Sequence, residues 1–115
     1  MTIKKLLISN RGEIASRIIK SAHDMGITCV AIYTEADKNT PYVREADQSF
    51  KLSDSYLNAK EILEIAKKNN VDAIHPGYGF LSENANFANN VKKAGIKWVG
   101  PSANAIKKMG DKITA

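Results

Sequence analysis

One cysteine, two histidines and three prolines are all that this 115-residue chain holds of those residue types. Cys29 has no partner for an internal disulfide. It sits in the apolar run TCVAIY and reads as a core residue of a reduced, cytoplasmic protein. His23 and His75 have no cysteine, histidine or acid at metal-ligand spacing, so no metal site is expected. No apolar run approaches the roughly 20 residues that span a membrane. The opening MTIKKLLISN has too short an apolar segment, and no small-residue cleavage site, to be a signal peptide. Acids are in deficit, 12 against 17 lysines and arginines, for a net charge of +5. That excess invites a nucleic-acid role, but Lys67-Lys68, Lys92-Lys93 and Lys107-Lys108 each fall near the end of an expected helix. Cations there complement the helix dipole. No aromatic residues interleave with them as a single-strand platform requires, so no nucleic acid is expected.

What is present is a regular alternation of patterns on a chain long enough for one domain. Strands are expected at 3–9 (IKKLLIS), 28–34 (TCVAIYT), 49–52 (SFKL), 71–75 (VDAIH) and 97–100 (KWVG). The continuous β-branched run at 28–34 reads as a strand covered on both faces. A helix over 13–25 is expected from the stripe Ile14, Ala15, Ile18, Ile19 and Ala22, with Gly26 as its stop. Pro41 can open a short helix at 41–47. Asn58 with Glu61 resembles a capping box for a helix whose inner face is Ala59, Ile62, Leu63 and Ala66. A helix over 83–94 uses Phe87, Ala88 and Val91, with Ser82 as its cap. Ser102 caps a last short helix that stops at Gly110. Strand–helix alternation with right-handed crossovers predicts an α/β, Rossmann-like, doubly wound sheet: five mostly parallel strands with helices on both faces.

Ligands of such sheets bind beyond the carboxyl ends of the strands, which directs attention to three loops. SNRGEIASR, after the first strand, has Gly12 but no G-x-G-x-x-G, and Asn10 and Arg11 stand where a pyrophosphate would lie. It also lacks the acidic cluster of a receiver domain. HPGYGFLSEN, after the fourth strand, sets Tyr78 between Gly77 and Gly79. The backbone there is permissive, and the aromatic residue offers a flat apolar face with a polar tip. MGDKITA ends the chain and carries Lys112. Taken singly, Tyr78 and Phe80 read equally well as cover for the sheet end, Lys112 as an exposed lysine, and Arg17, Lys20 and Asp24 as a solvated helix face.

Taken together, LLISNRGEIASRII, ADKNTPYVREADQSFKL, SYLNAKEIL, AIHPGYGFLSENANFA and WVGPSANAIKKMGDKITA occur in this order along the whole chain. The chain resembles the N-terminal, pre-ATP-grasp domain of biotin carboxylase, the ATP-dependent component of acetyl-CoA, propionyl-CoA, methylcrotonyl-CoA and pyruvate carboxylases. The resemblance implies an enzyme, a ligase that uses ATP and bicarbonate to carboxylate biotin on a carrier protein or domain. Residues 1–110 would be the first domain, and 111–115 the start of a truncated ATP-grasp portion. Partners would be the ATP-grasp and C-terminal domains and, in the full-length protein, a second copy in a homodimer. ATP and biotin, with Mg or Mn held by the missing domain, would serve the full enzyme. None is expected on the 115-residue fragment, which would be inactive alone. By matching positions, Lys112 would contact ATP, Tyr78 and Gly79 would lie near biotin, and Arg17, Lys20 and Asp24 would lie at the dimer interface. A different class, a stand-alone Rossmann-like module that binds a nucleotide or partner, also fits the pattern and would bind NAD or ATP tightly by itself.

Overall fold

The apolar runs around Leu7, Val30 and Ile74 become the three central strands of a five-stranded, all-parallel sheet in a computed structural model, which describes residues 2–100 and 102–107. In chain order the elements are β1 (Lys5–Ile8), α1 (Gly12–Asp24), β2 (Thr28–Tyr33), α2 (Pro41–Glu45), β3 (Gln48–Lys51), α3 (Ala59–Lys68), β4 (Ala73–His75), α4 (Ala85–Lys93) and β5 (Lys97–Trp98). Residues 103–107 are helical, and Ala105 donates to the Ser102 hydroxyl as expected of a cap. The strands lie in the order β3-β2-β1-β4-β5.

Period-two alternation sorts the strand residues between two cores. Leu7, Val30, Ile32 and Ile74 face α3 and α4, packing with Ile62, Ala66, Phe87 and Val91. Leu6, Ile8, Cys29, Ala31 and Ala73 face α1 and α2, packing with Ala15, Ile19, Ala22 and Tyr42. Each fully buried leucine or isoleucine contributes about 1.5–3 kcal/mol relative to exposure. Cys29 is among them, with no exposed surface.

Two local expectations need correction. Helix α4 begins at Ala85 and is capped by Asn84, whose Oδ1 accepts from the Phe87 amide at 2.9 Å. Ser82 lies instead in a 3-10 turn, Phe80–Glu83, and makes no cap. The capping box at α3 is half formed: Asn58 Oδ1 accepts from the Glu61 amide, but the Glu61 carboxylate turns to the amide and hydroxyl of Ser53. A nearby loop with two free donors outcompetes the reciprocal bond. Residues Glu35–Asp37, between the expected elements at 28–34 and 41–47, form a single 3-10 turn. Gly110, the expected stop of the last helix, lies outside the described residues.

The chain runs from β1 outward to β2 and β3, then returns to place β4 on the other side of β1. The sheet therefore reverses its winding between β1 and β4. In an open α/β sheet the loops at the carboxyl ends of two such strands are where ligands bind.

Candidate functional site

At the carboxyl ends of the neighbouring strands β1 and β4, Asn10 packs against the loop that carries Tyr78. Asn10 is 1% exposed. Its Nδ2 donates to the carbonyl oxygens of Pro76 at 2.8 Å and Tyr78 at 2.7 Å. Its Oδ1 accepts from the Arg11 amide at 2.9 Å, so every part of the side-chain amide is engaged. Gly77 lies between the two bonded carbonyls at φ +63°, and a Cβ built there would fall 2.7 Å from Asn10 Nδ2. Glycine is required at that position on both counts. Tyr78 projects outward and is 78% exposed, so it does not cover the sheet end.

Phe80, at φ +49°, is held in a backbone region that a bulky residue rarely adopts. Its ring packs on Tyr56, with centroids 5.3 Å apart at 52°. Tyr56 in turn donates to Asp37 Oδ2 at 2.5 Å and shares a 2.7 Å hydroxyl contact with Tyr42. Arg11 grips the same carboxylate with two nitrogens, at 2.6 and 2.7 Å. Asp37 is buried, and the Arg11 bonds hold its carboxyl below the usual carboxylate range despite burial. Burial pushes the Tyr42 hydroxyl up, so it stays protonated and can donate to the Ile32 carbonyl.

His75, at the end of β4, accepts from the Gly77 amide through Nδ1 at 3.1 Å. Burial lowers its pKa, which favours the neutral ring that this bond needs. It serves as a structural hydrogen-bonding residue. Folding also brings His23, Cys29 and Asp47 within 4.8 Å of one another, a proximity that their sequence spacing hides. Asp47 Oδ2 already accepts from the Cys29 amide and lies 2.8 Å from His23 Nε2. Burial pushes the Cys29 thiol up to about 11, away from the thiolate that a metal or a nucleophilic role requires.

Residues 2–106 match the sequence profile of the biotin carboxylase N-terminal domain. The chain belongs to that family. Biotin carboxylase 1 of Bacillus subtilis (strain 168) is 53% identical over 118 residues, covering 98% of this chain and 26% of that protein. The biotin carboxylase domain of a thermophilic 2-oxoglutarate carboxylase, solved bound to ADP, superposes with a TM-score of 0.94 at 43% identity. That match covers 97% of this chain and 26% of the solved one. The complete pyruvate carboxylase of Rhizobium etli superposes at 0.93 with 38% identity, over 98% of this chain and 12% of that one. The chain thus spans about a quarter of the length of the Bacillus relative.

Within this biotin carboxylase N-terminal domain, the remaining expected site residues fall on two surfaces. Arg17, Lys20 and Asp24 are exposed along α1 and line one groove of about 660 Å³ with Pro41 and Glu45 of α2. Arg17 also reaches a more apolar groove of about 730 Å³ that contains Tyr78, Ile14, Ile18 and Val99. Gly79, at φ +67°, has open space where a Cβ would be, so it tolerates close approach from outside. Lys112 lies outside the described residues. Sequence reasoning did not single out Asn10, Asp37 or Tyr56 as partners. The available signal was weak: two polar residues, Asn10 and Arg11, directly after a buried apolar strand. No helix among the described residues is long and apolar enough to cross a membrane.

Proposed function

We propose that this chain forms one wall of the active site of a biotin carboxylase, a cytoplasmic ligase in which ATP and bicarbonate serve to carboxylate biotin on a carrier. The observation that carries the reading is Tyr78, exposed on a two-glycine bend at the switch point of a sheet of this family. An exposed aromatic face with backbone open at Gly79 fits a flat ureido ring delivered from outside. The chain's own part is to orient that ring and to shield one side of it from water. Lys112 is assigned to the phosphates of ATP, where a lysine acts as a point charge. The His23, Cys29 and Asp47 cluster does not suit a magnesium ion, which takes oxygen ligands. Mg or Mn is therefore assigned to acids downstream of this domain.

Residues 1–110 are read as the first domain and 111–115 as the start of the ATP-grasp portion. Arg17, Lys20 and Asp24 are assigned to a homodimer contact, supported by their common exposure along one groove. Lysine at position 20 cannot make the bidentate fork of an arginine, so Asp24 and Arg17 would carry the directional part of that contact. The final acceptor of the carboxyl group is bound elsewhere in the assembly.

The test joins this chain to its downstream domains and measures bicarbonate-dependent ATP hydrolysis with free biotin. Biotin-stimulated turnover is expected, and its absence beside an active biotin carboxylase control would sink the reading. In the same protein, Lys112→Gln should raise KM for ATP roughly tenfold. An unchanged ATP dependence would remove Lys112 from the site.

A further inference from the structure

We propose that Asn10 is a positioning residue for biotin: it sets the loop that presents Tyr78. This rests on the reading of Tyr78 given above. The bend from Pro76 to Phe80 contains two glycines at positive φ, and glycine has the most conformational freedom to lose. A loop of that composition does not hold one shape by itself. Asn10 supplies what the loop lacks. One buried nitrogen donates to the carbonyls on both sides of Gly77, at 2.8 and 2.7 Å, and ties residues 66 and 68 positions away to the end of β1.

Few side chains can do this. Aspartate has the same shape but no donor, and would set a carboxylate against two carbonyl oxygens. Serine and threonine have one donor for two acceptors. Glutamine has the donors on a longer stem, which the 1% exposure of the site leaves little room for. The fit is mutual, because a side chain at Gly77 would collide with the same nitrogen. The far end of the bend is held separately by Phe80 on Tyr56. Loss of Asn10 therefore frees the Tyr78 backbone while leaving the second anchor in place. A pre-ordered aromatic face lowers the cost of capturing a small flat substrate, so the effect belongs in biotin binding rather than in ATP binding.

The experiment uses the full-length enzyme that carries this chain. Asn10→Asp is expected to raise KM for free biotin roughly tenfold while KM for ATP stays within about twofold. Tyr78→Ala should show the same split. The double variant Asn10→Asp/Tyr78→Ala should bind biotin no worse than Tyr78→Ala alone, since Asn10 acts through Tyr78. Amide hydrogen exchange should speed up at Gly77–Phe80 in Asn10→Asp and stay unchanged in α3. If Asn10→Asp does not fold, Asn10→Gln takes its place, with a smaller shift in the same direction. Unchanged biotin KM in a folded Asn10 variant, beside a clear effect of Tyr78→Ala, overturns the positioning role and leaves the Tyr78 reading standing. Equal rises in both KM values overturn it as well, because a general structural defect would do that. No effect of Tyr78→Ala removes Tyr78 from the biotin site and the positioning role with it.

Discussion

The two halves of the strand-end rim are built in opposite ways. Over β2 and β3, polar side chains are paired with one another: Asp37, Tyr56 and Tyr42 are buried, and the half-exposed Arg11 closes over the Asp37 carboxylate. Beyond β4, backbone carbonyls are held by one buried amide, and the large side chain, Tyr78, is left in solvent. The first arrangement stabilises, because each buried group in it would be costly to leave unpaired. The second presents, because it constrains the backbone and spares the side chain. Phe80 links them by resting on Tyr56, so the exposed bend stands on the saturated network.

Substitutions should separate the two halves. The largest loss is expected from Asp37→Ala, which leaves the buried Tyr56 hydroxyl and Arg11 without their common acceptor. Urea unfolding should record a cost of about 3 kcal/mol. A loss below about 1 kcal/mol would mean that the network is not the stabilising half. Gly77→Ala should come next, at about 2 kcal/mol, from positive φ together with the collision with Asn10. Gly79→Ala has open space for its Cβ and should cost about 1.5 kcal/mol by the same measurement, all of it from a backbone at φ +67° and ψ −163° that only glycine adopts freely. A cost at Gly77 below about 1 kcal/mol would contradict the close fit of Asn10.

Acid should then act through the carboxylates. Asp37 and Asp47 have carboxyls held below their ordinary values, Asp37 first by Arg11 and Asp47 first by the Cys29 amide. A depressed pKa contributes stability that is complete above the unfolded value and is lost as pH falls through the folded one. Unfolding midpoints should therefore drop below about pH 4. His75, depressed by burial, follows the same sign and should add a smaller decline beginning near pH 6.5. In Asp37→Asn the steep part below pH 4 should flatten, and an unaltered pH profile would contradict its role. The smallest expected effect on stability is Tyr78→Ala, within about 0.5 kcal/mol, as for other exposed sites. A larger loss would mean that Tyr78 packs rather than presents.

The legible parts of the molecule were those set by local periodicity. The stripe Ile14–Ala15–Ile18–Ile19–Ala22 became α1, TCVAIY became a two-faced central strand, and Gly26 at φ +76° followed the helix end. Tyr78 and the two flanking glycines were visible because glycine is conspicuous in a strand-to-helix loop. Ser82 was misread as a cap because Asn84 lies two residues on with the same chemistry, and only the 3-10 turn decides between them. The α1 surface residues Arg17, Lys20 and Asp24 had the same helical spacing as any solvated stripe. Their shared groove depends on where α2 packs.

By itself, the amino-acid order determined the alternation of strands and helices, which faces are apolar, and the family to which the chain belongs. Those properties live in spacings of two, three or four residues along the backbone, and they survive without knowledge of any distant contact. Only the tertiary structure decided that Asp37 would be buried beneath Arg11 and Tyr56, that Asn10 would reach Pro76 and Tyr78, and that His23 would meet Cys29 and Asp47. A polar side chain finds its partner through the distance between loops remote in sequence, and the order of strands in the sheet sets that distance.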